Sequence, residues 1–268
     1  MSATYRGDGV VRLGSRFISA VAFYGPKTGR LGEVLAVVQA LIAEHVGDDF
    51  RPYSPEQVHA TLIALNGVPE HGTVVNEYFL AQAGVRREMD LPRVMDILAR
   101  RFATPLRVRV GGLRPDQATP FTSRGQHLAE RTFSVQDRAF VLVGWPAESL
   151  AGAGRPLDEL RREMNTAGVL HRYHVRATDV DNDLHLVLGH HAGTPAAALA
   201  RATAAVRDKL AGDPADLAIG LADVKVVAAD SHTLAPPLYV GGIPAPEATL
   251  LELIKTATTS GSRDGPRD

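Results

Sequence analysis

Ser54-Pro55-Glu56-Gln57-Val58-His59-Ala60-Thr61-Leu62-Ile63-Ala64-Leu65-Asn66-Gly67 is a turn feeding an apolar, β-prone run that Asn-Gly closes. Read as a strand, it places His59 and Thr61 on one face and Val58, Ala60, Leu62 and Ala64 on the other, because side chains alternate with a period of two. An imidazole and a hydroxyl therefore share one patch. A second histidine has a similar setting in Asp183-Leu184-His185-Leu186-Val187-Leu188-Gly189, where Leu184, Leu186 and Leu188 oppose His185.

Around these two strands the chain alternates strand and helix signals. Arg16 to Tyr24 predicts a first strand, and Leu31 to His45 a helix with apolar residues at helical spacing. Thr73 to Phe102 is rich in helix formers and, broken by Gly84 and Pro92, predicts two helices. Leu106 to Val110 alternates as a strand with Arg107 and Arg109 on one face. Glu130 to Gln136 and Ala139 to Trp145 predict a hairpin around Asp137-Arg138. Pro156 opens a helix that Gly168 ends, and Leu170 to Val175 reads as extended. Asp179 to Asp183 reads as a plain turn. After the His185 strand come a helix from Pro195 to Leu210, strands over Leu217 to Ala228 and Leu238 to Gly241, and a final helix over Pro244 to Ala257. The order of elements is roughly duplicated. It predicts an α+β fold, bilobal, with two pseudo-symmetric antiparallel-sheet lobes, helices outside, and a central cleft where the histidine strands meet. Residues 1–15 read as a flexible leader, 16–245 as one domain with a helical insert over 73–102, and 246–268 as a C-terminal helix and disordered tail.

Composition narrows the functions available. The 29 basic and 30 acidic residues nearly cancel, so the broad positive field of a duplex DNA binder is missing. There is no cysteine, which removes disulfides, thiolate metal sites and thiol nucleophiles together. The first residues lack a signal-peptide core, and no apolar run is long enough to span a bilayer. A cytoplasmic protein without a membrane partner is expected.

Pro55-Glu56-Gln57-Val58-His59-Ala60-Thr61-Leu62 and Leu184-His185-Leu186-Val187-Leu188-Gly189, in this order of elements, resemble the two signature strands of the 2H phosphoesterase superfamily. That family includes bacterial RNA 2′,3′-cyclic phosphodiesterase and 2′–5′ RNA ligase-like proteins. The resemblance runs from about Arg16 to Ile243. It implies a phosphoesterase with His59 and His185 as general acid and base, Thr61 as a hydroxyl donor to the phosphate, and neither metal nor cofactor. The implied partner is a nucleotide or short RNA with a cyclic phosphate or a 2′–5′ linkage. The second strand departs from the pattern, with Val187 where the family has threonine or serine. That departure carries a second reading, a retired enzyme that binds nucleotides or RNA ends.

Two histidines near neutral pKa can divide the protons of phosphodiester cleavage. From residue type and neighbourhood, Tyr53 and Tyr173, with Tyr24 and Trp145, could stack a base, while Arg172, with Arg107, Arg109 and Arg176, could steer phosphate. His171-Arg172-Tyr173-His174 and His190-His191 invite a metal reading. No His-Glu-x-x-His helix accompanies them, so they read as solvated histidines near the cleft.

Overall fold

The computed structural model describes residues 16–260, and the expected leader and the end of the tail lie outside them. Strands β1 (Phe17–Ala22), β2 (Phe50–Pro52), β3 (Ala60–Ala64), β4 (Gly67–Glu70), β5 (Thr73–Asn76) and β6 (Leu106–Val110) belong to the first half of the chain. The second half supplies β7 (Phe133–Gln136), β8 (Ala139–Pro146), β9 (Leu184–His191), β10 (Ala215–Ile219), β11 (Val224–Ala229) and β12 (Tyr239–Gly241). The helices are α1 (Gly29–Val46), α2 (Leu91–Arg101), α3 (Leu128–Arg131), α4 (Ala147–Leu150), α5 (Pro156–Glu163), α6 (Ala196–Gly212) and α7 (Glu247–Ser260).

The fold is α+β and antiparallel. One ten-stranded sheet runs β10-β6-β8-β9-β3-β1-β11-β12, with β2 added to β9 and β7 to β8. Each half of this path has four strands, and the halves meet where β3 pairs with β9 through Ala60 and Leu186. α1, α2, α5, α6 and α7 all send side chains into one core on one face of the sheet, against Ile18, Ala20, Leu62, Leu186 and Leu188. The opposite face carries two smaller apolar clusters, Val21, Val227, Ala229 and Leu234 in one half and Leu128, Val141, Val143 and Trp145 in the other.

The predicted helical insert is corrected in its first part. Gly67 to Asn76 is a two-stranded hairpin, β4 with β5, and only 91–101 is a full α-helix. His71 and Gly72 both have positive φ, 47° and 91°, which is the geometry of a tight two-residue hairpin turn, and Thr73-Val74-Val75 then favours a strand. One π-helical turn, Phe79–Ala83, follows, and Asp90 caps α2 by accepting the Arg93 N–H at 3.0 Å. α7 packs on β4 and α2, with Leu250 and Ile254 buried, and continues to Ser260 rather than giving way to tail at Thr258. Leu170 to Val175, read as extended, forms turns in which Leu170, His171 and His174 are buried while Arg172 and Val175 are exposed. Among the described residues no helix is long and apolar enough to cross a membrane.

Candidate functional site

β3 and β9 are antiparallel with Ala60 opposite Leu186. Continuing that register sets Thr61 opposite His185 and His59 opposite Val187, all four on the face away from the helices. His59 and His185 are then diagonal neighbours, for which side chains start about 7–8 Å apart.

A bulge shapes each strand at the same place. Against β1, Thr61 faces Val21 and Ile63 faces Ala20, leaving Leu62 as the extra residue. Against β8, Val187 faces Val141 and Gly189 faces Phe140, leaving Leu188 extra. The extra residue is the third after the histidine in both. A bulge shifts the alternation by one, so Ala64, expected on the core face, lies on the histidine face opposite Ser19. His190 likewise joins the face of His185, while His191 turns into the core. Gly189 is required there: its φ is 148°, and a Cβ would run into the Arg51 carbonyl.

His59 is held through Nδ1, 2.7 Å from the Gln57 carbonyl. A carbonyl can only accept, so Nδ1 carries the proton and Nε2 is left bare. Burial lowers the His59 pKa, the Gln57 bond opposes that, and the nearby Lys27 charge adds to the lowering. Lys27 itself is brought down to about 8 by burial against the pull of Glu56. The Tyr24 ring lies 5.7 Å from His59, fixed by its hydroxyl donating to the Leu234 carbonyl at 2.7 Å. Thr61 is half-buried, and its hydroxyl makes no hydrogen bond among the described residues. Val187 packs instead with Leu128, Val141, Val143 and Trp145.

His185 is held differently. Its Nε2 is 3.4 Å from Arg131 Nη2 and 3.5 Å from Asp183 Oδ2. Behind it lies a buried polar network that the sequence reading placed in solvent. Asp181, Asn182 and Asp183, read as a plain turn, are 4–5% exposed. His171 and His174, read as solvated, are buried, with Nε2 atoms 2.7 Å from Asp181 and 2.9 Å from Asp158. Arg161 is 1% exposed. Its guanidinium donates to the carbonyls of Leu62 at 3.1 Å and Thr61 at 3.4 Å on one side, and of Asp181 at 2.9 Å and Asp183 at 3.1 Å on the other. It clamps the two histidine strands where their own pairing is shortest. No sequence signal marks this arginine, since Leu157-Asp158-Glu159-Leu160-Arg161-Arg162 reads as an ordinary amphipathic helix.

The other expected binding residues divide. Tyr53 reaches the histidine face, its ring 5.2 Å from His190, which in turn lies 6.4 Å from His232. Burial raises the Tyr53 hydroxyl to about 12. Tyr173 is bracketed by the guanidinium groups of Arg124 and Arg172, 4.3 and 4.4 Å from its centroid, rather than by either catalytic candidate. Arg124 lines a cavity of about 700 Å³ with Ser123, Asp158, Asn182 and Asp183. Arg109 is paired with Asp216, and Arg176 with Asp179. Lys27, Arg131, Arg161 and Asp183 are the site residues that the sequence reading missed.

No family model and no curated protein matches this chain. Among solved structures, the crystal structure of TT0787 of Thermus thermophilus is similar over 86% of this chain and 100% of that one, at 13% identity and a TM-score of 0.39.

Proposed function

We propose that this protein is a two-histidine phosphoesterase that cleaves a 2′,3′-cyclic phosphate or a 2′–5′ phosphodiester in RNA or a nucleotide. The observation that carries the reading is the β3–β9 register, which sets His59, Thr61 and His185 on one face of two adjoining strands. A bare Nε2 suits His59 to take a proton from water. As that water bonds to phosphorus, His185 gives a proton to the sugar oxygen whose bond to phosphorus breaks. Negative charge grows on the non-bridging oxygens meanwhile. The unengaged Thr61 hydroxyl can meet it, and the Lys27 charge acts on His59 beside it. Both protons move through imidazoles, so the chemistry calls for no metal. Tyr53, His190 and His232 supply flat rings on the same face for a base.

Val187 supports a second reading. It contributes to an apolar cluster at the position opposite His59, so this half lacks the hydroxyl of the other. A retired enzyme that binds nucleotides or RNA ends would tolerate that loss. Metal-stripped protein incubated with 2′,3′-cyclic nucleotides, short RNAs ending in cyclic phosphate, and 2′–5′-linked dinucleotides separates the two. Turnover that His59→Ala and His185→Ala both remove supports the phosphoesterase; binding without product in the parent protein supports the retired module. Turnover that survives both substitutions contradicts the mechanism.

A further inference from the structure

The cavity of about 700 Å³ lies at the start of β9. Three segments wall it: Pro120 to Arg124, the turn from Ser149 to Arg155 with the first residues of α5, and Val180 to Asp183. Two of these residues join it to the histidine face. Asp183 Oδ2 stands 3.5 Å from His185 Nε2, and Phe121 packs in the apolar cluster of Trp145 and Val187. A ligand held by His59 and His185 therefore has this cavity beside it, on the His185 side.

The carboxylates around the cavity are already engaged. Asp183 is paired with Arg131 at 3.4 Å and accepts from Trp145 and Ser123. Asp158 accepts from His174 and Arg162. Glu159 accepts the Arg155 main-chain N–H at 3.2 Å and lies 3.5 Å from Arg101. The two arginines of the cavity, both exposed, are different. Arg124 lies over the Tyr173 ring, and the Arg155 guanidinium has no hydrogen bond or ion pair among the described residues. Asp181 and Asp183 act on Arg124 from further off, each already answered by its own arginine, Arg161 and Arg131. The backbone also singles out Arg124. With φ of 50° there and 76° at Gly125, the chain makes a tight turn closed by paired main-chain bonds between Ser123 and Gln126 at 3.0 and 2.9 Å. Asn, Asp or Gly would adopt that conformation at lower cost than arginine. Two guanidinium groups without carboxylate partners, on separate walls, fit a phosphate, which arginine grips with paired N–H donors. Phe121 adds a half-buried aromatic ring against which a base can lie.

We infer that this cavity binds a second nucleotide of the substrate, the one next to the departing sugar, with its phosphate between Arg124 and Arg155. The inference rests on the phosphoesterase reading above, in which His185 serves the departing oxygen. It narrows the substrate class to RNA of two or more nucleotides. A 2′,3′-cyclic mononucleotide leaves the cavity empty, whereas RNA ending in a cyclic phosphate fills it with the nucleotide before the end.

Dissociation constants in a His59→Ala background, where ligand is held without being consumed, test this with two probes. They are adenosine 2′,3′-cyclic phosphate and the adenylyl dinucleotide that ends in the same cyclic phosphate. The dinucleotide should bind about tenfold or more tighter. Arg124→Gln and Arg155→Gln should each cut that preference about threefold or more, and together abolish it. Equal affinity for the two probes overturns the inference, as does a preference that outlives both substitutions. Product from the parent protein without a length preference keeps the phosphoesterase and removes the cavity's role. A preference set by the two arginines, with no product from the parent protein, does the reverse.

Discussion

The two histidine strands share a backbone and differ in chemistry. His59-Ala60-Thr61-Leu62-Ile63-Ala64 and His185-Leu186-Val187-Leu188-Gly189-His190 bulge at the same residue and turn the same three positions to the same face. Yet the first ring is tied by Nδ1 to a main-chain carbonyl, with a hydroxyl beside it, and the second meets a buried carboxylate and a guanidinium through Nε2, with a valine beside it. A duplicated scaffold fixes where the rings stand; the residues around each ring decide what it does with a proton. The β3 half offers a bare base and a free donor, and the β9 half offers a ring backed by fixed charges.

Arg161 joins the halves, so removing it is the strongest way to break the comparison. Arg161→Leu leaves Asp181 without its buried counter-ion and strips four carbonyls of donors, with an expected cost of about 3–5 kcal/mol. Urea unfolding measures it; a loss under about 1 kcal/mol would mean that the clamp does not hold the strands. Next comes the hydroxyl asymmetry. Thr61→Val should lower kcat by about 10²–10³-fold. Val187→Thr should raise it by about tenfold at most, since its surroundings are apolar. Equal losses from both substitutions would contradict the asymmetry.

The buried network on the β9 side gives a pH signature. Burial pushes His171 down to about 3, with Arg161 adding to it against the pull of Asp181. A histidine whose folded pKa is depressed stabilises fully above its unfolded value of about 6.5, and the chain loses stability as pH falls from there towards about 3. At pH 5 the loss from this one ring is about 2 kcal/mol. Asp181 and Asp183 are also depressed, but their contribution is lost only below about 3.9. Urea midpoints at pH 7.5 and pH 5 check the sign, and a midpoint that holds or rises at pH 5 would show His171 to be free to protonate.

Much of this was legible in the sequence. Alternation gave the strands bearing His59 and His185, helical signals gave helices over Leu31 to His45 and Pro195 to Leu210 where the structure has 29–46 and 196–212, and Pro156 with Gly168 bounded α5 and the 3-10 turn after it. What escaped depends on contacts between distant segments. The bulges at Leu62 and Leu188 are set by pairing with β1 and β8, so strict alternation misplaced Ala64 and concealed His190. The hairpin at 67–76 was hidden because its turn, His71-Gly72, is less familiar than Asn-Gly. Asp181, Asp183, His171 and His174 have the composition of solvated loops. They are buried because they satisfy one another and Arg161, a balance that no local window reveals.

The most direct measurement of the central claim is kcat/KM for His59→Ala, His185→Ala and the double variant on one cleaved substrate. If the two rings act as a unit across β3 and β9, each single substitution costs about 10²–10⁴-fold and the double costs little more. Losses that multiply, or one histidine whose removal leaves the rate unchanged, would contradict a shared site.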